Sequence, residues 1–426
     1  MRPLRRLLLL ALPLGAAVAG ACRGQEAAPA HLAAPAGIDW SKVTSRDLDI
    51  AAVFRVARDH GVRMALDSLA ELARTDPTLE PLGHQVAHGL GRYAVTRRNY
   101  DAAVFAECRP TFFSGCYHGV LEGWLAGHPG ADAAAVRGLC ASAAMWALPP
   151  YAFRECAHGL GHGLTALHPD DPLDALPDCD RTFPAELARR ECYDGVFMEN
   201  VVKAMGTVAF DVRDSTSGHE HAGARAVRPL PKAGDPTFPC DSVNADQGPS
   251  CWAYQPVVLF AALDGDLTRI AATCDAAPAA SAGACWRGIG KQTLGRMPAR
   301  PDSVARVCAA STAHSADCVG GMVEFYVDQA WKVDDAMAFC ASAPGALRDA
   351  CYRAVGERVA WIDPTPVAIR AACAGAGTHA AACVRAAEAE RVADLLPRPS
   401  AALPPTSPSP PTPTPSPAGH RSHGSP

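Results

Sequence analysis

The chain has 426 residues, is 49% hydrophobic and 19% charged, and carries a formal net charge of −5. That apolar content excludes a chain disordered throughout, and the mild acidity excludes the basic footprint of a nucleic-acid binder, so no nucleic acid is expected as a partner. Seventeen cysteines would be a liability in a reducing cytosol but are ordinary in an oxidising compartment.

Arg2, Arg5 and Arg6 precede an apolar run from Leu7 to Val18, which is too short to cross a membrane comfortably. Ala19-Gly20-Ala21 then forms a small-x-small cleavage site, so residues 1–21 read as a signal peptide. Cys22 follows directly. The arrangement resembles a bacterial lipoprotein signal, although Ala19 stands where leucine is usual. The resemblance implies that Cys22 is lipidated, anchoring an exported protein to a membrane of the cell envelope, facing the periplasm. An ordinary secretory signal cut before Cys22 would release a secreted protein instead. Residues 22–46 form a linker, and residues 47–202 form histidine-rich helical repeats. The first of these, within 47–97, lack cysteine and form a cap. Leu66, Leu69, Ala70 and Ala73 share one helical face, Asp76-Pro77 ends that helix, and the next begins near Leu79.

Sixteen cysteines follow in consecutive pairs: Cys108 and Cys116; Cys140 and Cys156; Cys179 and Cys192; Cys240 and Cys251; Cys274 and Cys285; Cys308 and Cys318; Cys340 and Cys351; Cys373 and Cys383. Second members recur at intervals of 40, 36, 59, 34, 33, 33 and 32 residues. A period near 33 is one helix–turn–helix unit, so the spacing predicts an all-α fold, an α/α solenoid of about nine or ten helical hairpins. Helix-like stretches such as Asp302–Ala309 lead into a first cysteine, and the second opens another helix. Sequential pairing places one disulfide across each turn, and a different connectivity is the alternative. Three residues past the second cysteine stands Gly or Ala in seven units of eight, which lets neighbouring backbones approach; Tyr254 is the exception. The interval of 59 hides an inserted loop, residues 203–239. Residues 240–395 are C-terminal helical repeats, and 396–426 form a Pro/Ser/Thr-rich disordered tail. This period, with one bridge per hairpin, resembles the disulfide-bridged Sel1-like and tetratricopeptide-like repeat proteins. The resemblance implies a solenoid with a partner-binding surface, and it names no ligand.

Histidines occupy equivalent repeat positions. His118 and His158 stand two residues past a cysteine, Asp194 holds the same place, and His88 aligns with them. The strings His84-x-x-x-His88, His118-x-x-x-Glu122 and His158-x-x-x-His162 each put two metal-ligand types on one helix face. Stacked helices lie about 8–10 Å apart, so these columns can converge, and Glu199 is placed to join them. Gln85 and Gly159 stand where a zinc protease carries its glutamate, which argues against that class. The arrangement resembles HEAT-repeat metal hydroxylases, which implies two irons held by His and Glu. The competing reading is structural: histidines that cap backbone or pack on the next hairpin. Repeats from Cys251 onward place Ala253, Arg287, Gly320, Arg353 and Arg385 in the histidine slot, which argues against a purely structural need. His219 and His221 in the inserted loop, with Asp194 and Glu199, form an accessory ligand set.

The sequence therefore points to a cell-envelope binding protein with a His/carboxylate site for a transition ion (Zn, Cu or Fe) or a haem-type group, its C-terminal half being structural or presenting a partner surface. Neutral imidazoles would bind the ion and lose it near pH 5 as they protonate. A metal-dependent oxidoreductase using the same residues, and a metal-free protein–protein scaffold, are the alternatives.

Overall fold

The computed structural model describes residues 45–392, apart from 77–78, 143–144, 146, 169, 205–233, 297–300, 312 and 391. Cys22, His219 and His221 lie outside the described residues. The chain begins with α1 (Ser45–His60), α2 (Val62–Thr75) and α3 (Glu80–Arg97). Leu66 and Leu69 of α2 are fully buried, and Asp76 closes that helix in an extended conformation.

Fourteen helices follow: α4 (Gly115–Gly127), α5 (Ala133–Cys140), α6 (Tyr151–Leu167), α7 (Leu176–Thr182), α8 (Glu186–Ala204), α9 (Gly248–Ala262), α10 (Leu267–Asp275), α11 (Ala279–Arg296), α12 (Pro301–Ala310), α13 (Ser315–Asp328), α14 (Asp334–Ser342), α15 (Gly345–Ile362), α16 (Pro366–Cys373) and α17 (Ala380–Ala389). Short and long helices alternate over most of the array. A short helix carries the first cysteine of a pair in its last turn, and a long helix carries the second within its first two turns. All eight sequential disulfides form. Cys108 is bonded to Cys116, Cys140 to Cys156, Cys179 to Cys192 and Cys240 to Cys251. Cys274 is bonded to Cys285, Cys308 to Cys318, Cys340 to Cys351 and Cys373 to Cys383. Their Cα atoms lie 5.3 to 5.7 Å apart. Each closes a loop short enough to be worth roughly 2–3 kcal/mol by restricting the unfolded chain.

Two units depart from the expected pattern. Cys108 follows a single 3-10 helix, Ala102–Glu107, started by the Asp101 carboxylate accepting from the Ala103 amide at 2.9 Å. Its partner Cys116 still opens a regular helix, α4. Cys240 lies among turns, flanked by Pro236 and Pro239, which lack the amide protons a helix requires. Two of the other short helices are capped by aspartate: the Asp132 and Asp266 carboxylates accept from Ala135 N at 2.8 Å and Thr268 N at 3.0 Å.

The long helices pack in series, α3 on α4, then α6, α8, α9, α11, α13, α15 and α17. Glycine sets how closely they approach. A Cβ on Gly119 or Gly195 would fall 1.9 Å from the carbonyl oxygen of His88 or His158 on the preceding long helix. A second glycine, in alternate helices, abuts the next one: a Cβ on Gly161 would lie 2.1 Å from the Cys192 carbonyl oxygen, and on Gly290 1.9 Å from that of Cys318. Contacts of both kinds lock α3 with α4, α6 with α8, and α11 with α13. Interior glycine costs a helix about 1 kcal/mol relative to alanine. The close backbone approach is what that cost obtains.

The row then bends back on itself. Trp331, just past α13, stacks on Tyr151 of α6 at 5.0 Å between centroids. Its indole nitrogen donates to Glu155 Oε1 at 3.1 Å and to Ser114 Oγ at 3.3 Å. The Phe113 amide donates to the Gln329 carbonyl at 3.3 Å. The inner faces of α3 to α15 thereby surround a cavity of about 850 Å³. Both halves of the chain line it, so the C-terminal repeats are part of the site's wall rather than a separate structural half.

Candidate metal centre

The close helix approach brings the histidine columns together. His84 and His88 come from α3, His118 and Glu122 from α4, His158 and His162 from α6, and Glu199 from α8. Ring centroids lie 4.5 Å apart for His84/His88, 5.2 Å for His88/His118, 5.3 Å for His88/His162, and 5.0 Å for His118/His162, His118/His158 and His158/His162. Four imidazoles around one tetrahedral ion, with metal–nitrogen distances near 2.0–2.1 Å, would have centroids about 5 Å apart. Three groups each offer ligand atoms within 4.8 Å of one another: His84/His88/His118, His118/His158/His162 and Glu122/His162/Glu199.

Four of the five rings have one nitrogen engaged by an outer acceptor. His84 Nδ1 donates to the Phe112 carbonyl at 2.8 Å, and His88 Nδ1 to Glu122 Oε1 at 2.7 Å. His118 Nε2 donates to Glu155 Oε2 and His162 Nδ1 to Glu199 Oε2, both at 2.9 Å. The opposite nitrogens remain. His118 Nδ1 and His162 Nε2 are buried without a hydrogen-bond partner. His84 Nε2 and His88 Nε2 face each other at 3.0 Å. A neutral imidazole has one ring proton, and both rings have already placed theirs on acceptors. The 3.0 Å contact therefore sets lone pair against lone pair. A cation relieves it, either a proton or a metal ion.

Electrostatics disfavours the proton. Burial, with the neighbouring His88, pushes His84 down to about 3, and burial pushes His88 down to about 4 despite Glu122 beside it. Burial and the adjoining histidines also hold His118 and His158 well below the ordinary imidazole value. Protonation near pH 5, expected of accessible imidazoles, therefore moves to lower pH for His84 and His88. Burial alone would raise the Glu122 carboxyl, but His88 and Arg92 hold it well below the usual range. Glu122 is thus an ionised acceptor.

The segment carrying the Phe112 carbonyl is strained. Phe112, Phe113 and Ser114 have φ of 55°, 51° and 60°, a left-handed run without glycine. Such residues cost about 1–2 kcal/mol each and persist where surroundings over-determine them. Here the surroundings are His84 on the carbonyl, the Phe113 amide bond to Gln329, and Trp331 on Ser114.

All six residues favoured as ligands by the sequence lie in this cluster. Glu199 is the outer partner of His162. Asp194 stands apart from the three groups, on the cavity wall and hydrogen-bonded to Ser250. The histidines sit inside helices; His84 bonds the Phe112 backbone carbonyl, while His88, His118 and His162 bond carboxylates. Sequence reasoning missed Glu155, Arg92, Met198 and Trp331. Glu155 immediately precedes Cys156, a position with no signal of its own, and Trp331 arrives from 176 residues away. His84, His118 and His158 open onto the cavity.

In one unit of the C-terminal half the same slots carry ion pairs. Arg287, two residues past Cys285, bonds Glu324 at 2.7 Å. Lys291 bonds Asp328 at 3.0 Å, and the buried Arg358 also bonds Glu324 at 2.7 Å. The chain is all-helical among its described residues, with eight disulfides spaced regularly between sequential helix pairs. No family model, curated protein or solved structure matches the chain.

Proposed function

We propose that this is a metal-binding protein of an oxidising compartment, holding a transition ion among His84, His88, His118 and His162. The bare 3.0 Å contact between His84 Nε2 and His88 Nε2 carries this reading. Two nitrogens at that separation would both reach one ion at about 2.0–2.1 Å, with an angle near 90° at the metal. The outer acceptors support it as well. Histidine ligands characteristically donate their second ring nitrogen to a carboxylate or backbone carbonyl, as Phe112, Glu122, Glu155 and Glu199 accept here. In a metal-free scaffold the two facing lone pairs would have no counterpart.

The eight disulfides indicate an extracytoplasmic location. Anchoring through a lipid on Cys22 belongs to the proposal. A metal-dependent oxidoreductase is the second reading, and the cavity favours it. His84, His118 and His158 open onto about 850 Å³ of space, so an ion there would be reachable by a small molecule. A purely structural metal site is usually closed.

Elemental analysis and calorimetric titration with zinc, using protein purified without a polyhistidine tag, test the reading. The expected result is one equivalent of ion retained or taken up. Less than a tenth of an equivalent after exposure to Zn, Cu and Fe would overturn it.

A further inference from the structure

His158 differs from the other four histidines. Its Nε2 faces no carboxylate or carbonyl but the thioether of Met198, at 3.4 Å. Both side chains line the cavity. An ion bound about 2.0–2.1 Å from an imidazole nitrogen and about 2.3 Å from a sulfur, at a tetrahedral angle, separates the two donors by about 3.6 Å. The observed spacing is within a few tenths of an ångström of that. His158 also lies in the group with His118 and His162, whose ligand atoms are within 4.8 Å of one another, and these two have buried, unpartnered nitrogens. The sulfur thus stands at the cavity edge of an imidazole cluster already short of a cation.

Thioether sulfur discriminates between metals. It is a soft donor that favours copper(I) and adds little for zinc, which is satisfied by imidazole and carboxylate. The local sequence carries no copper signature, because Met198 and His158 are 40 residues apart and on different helices. Packing of α6 against α8, with Gly161 and Gly195 at the contact, is what sets them side by side.

We infer that the cluster is a copper site, with His158 Nε2 and Met198 Sδ clamping a cuprous ion on its cavity side and a neighbouring imidazole of the cluster completing the coordination. This rests on the metal-binding reading above and adds the identity of the ion and two ligands, His158 and Met198. The ion enters from the cavity, which His158 and Met198 both line.

The test uses the whole mature chain with its disulfides intact, loaded anaerobically with one equivalent of copper(I) supplied as its acetonitrile complex, without thiol reductant. Affinity is read by competition with a copper(I) chelator, and zinc affinity by calorimetry. Met198→Leu is expected to lower copper(I) affinity at least tenfold and to leave zinc affinity within threefold. X-ray absorption of the copper-loaded wild-type protein is expected to show one sulfur near 2.3 Å from the metal, which keeps the test decisive if the variant fails to fold. Absence of that sulfur, or equal effects of Met198→Leu on the two metals, would overturn the copper assignment and leave the imidazole site standing. A wild-type protein that binds neither metal would overturn both.

Discussion

The two halves of the inner row solve the same burial problem with different chemistry. The slots two and six residues past the second cysteine turn inward in the N-terminal units and in the Cys285 unit of the C-terminal half, whereas Arg353 and Arg385 in the same slot are exposed. In the C-terminal half they hold Arg287 and Lys291, neutralised by Glu324 and Asp328. In the N-terminal half they hold His88, His118 and His162, bonded outward to carboxylates, His158 beside the Met198 thioether on the cavity wall, and Glu122, the acceptor of His88. An ion pair is self-sufficient, since each partner satisfies the other. A neutral imidazole bonded outward is not, because its second nitrogen still points inward. The repeat needs no histidine at these positions, since Ala253 and Gly320 stand there in other units. Among the described residues, it is the N-terminal half that leaves imidazole nitrogens bare.

This contrast can be broken at four points. The largest effect is expected for His88→Ala, which removes one of the two facing nitrogens and should weaken zinc binding by two orders of magnitude or more. Arg287→Ala in the equivalent C-terminal slot should leave zinc binding unchanged, and calorimetry on both variants separates them. Parallel losses would mean that the slots are equivalent and the histidines structural. Next, Arg358→Ala should lower stability in urea denaturation by less than the roughly 3 kcal/mol expected for a stranded charge, because Glu324 keeps Arg287 as a partner. It should not alter zinc affinity.

Glu155→Gln sharpens the comparison from the other side. It keeps the side chain's size beside Trp331 but replaces the charged acceptor of His118 Nε2. Loss of an outer partner of this kind costs about 10- to 100-fold in metal affinity. A wild-type affinity in this variant would exclude Glu155 as a positioning residue.

The smallest effect is the acid response of the metal-free protein. Unfolded imidazoles protonate near 6.5, whereas folded His88 stays neutral down to about 4. Between these values the unfolded chain binds more protons, so His88 contributes stability above about 6.5 that is lost as pH falls toward 4. Glu191 works in the opposite sense. Burial, against the pull of Arg154, pushes it up to about 8, so its contribution is lost as pH rises. The histidine effect is therefore read as a difference. Between pH 7 and pH 5 the urea midpoint of His88→Gln should gain relative to that of the wild type. Profiles that stay parallel would show that His88 is not buried neutral.

Much of this was legible in the chain itself. The cysteine period determined the all-helical repeat and the eight bridges, because a disulfide across a hairpin turn depends only on residues 8 to 16 apart in sequence. The i, i+4 spacing of His84/His88 and His158/His162 placed those residues on common helix faces, again a local matter. The glycine or alanine three residues past seven of the eight second cysteines announced close contact between neighbours. Tertiary structure alone decided which ring nitrogens turn inward, because that depends on where Phe112, Glu122, Glu155 and Glu199 lie on other elements. It alone brought Met198 to His158 and Trp331 to Glu155. The curvature that closes the row is the sum of small rotations between successive hairpins. No single repeat encodes that sum, and so neither the cavity nor the partners it assembles can be read from a repeat.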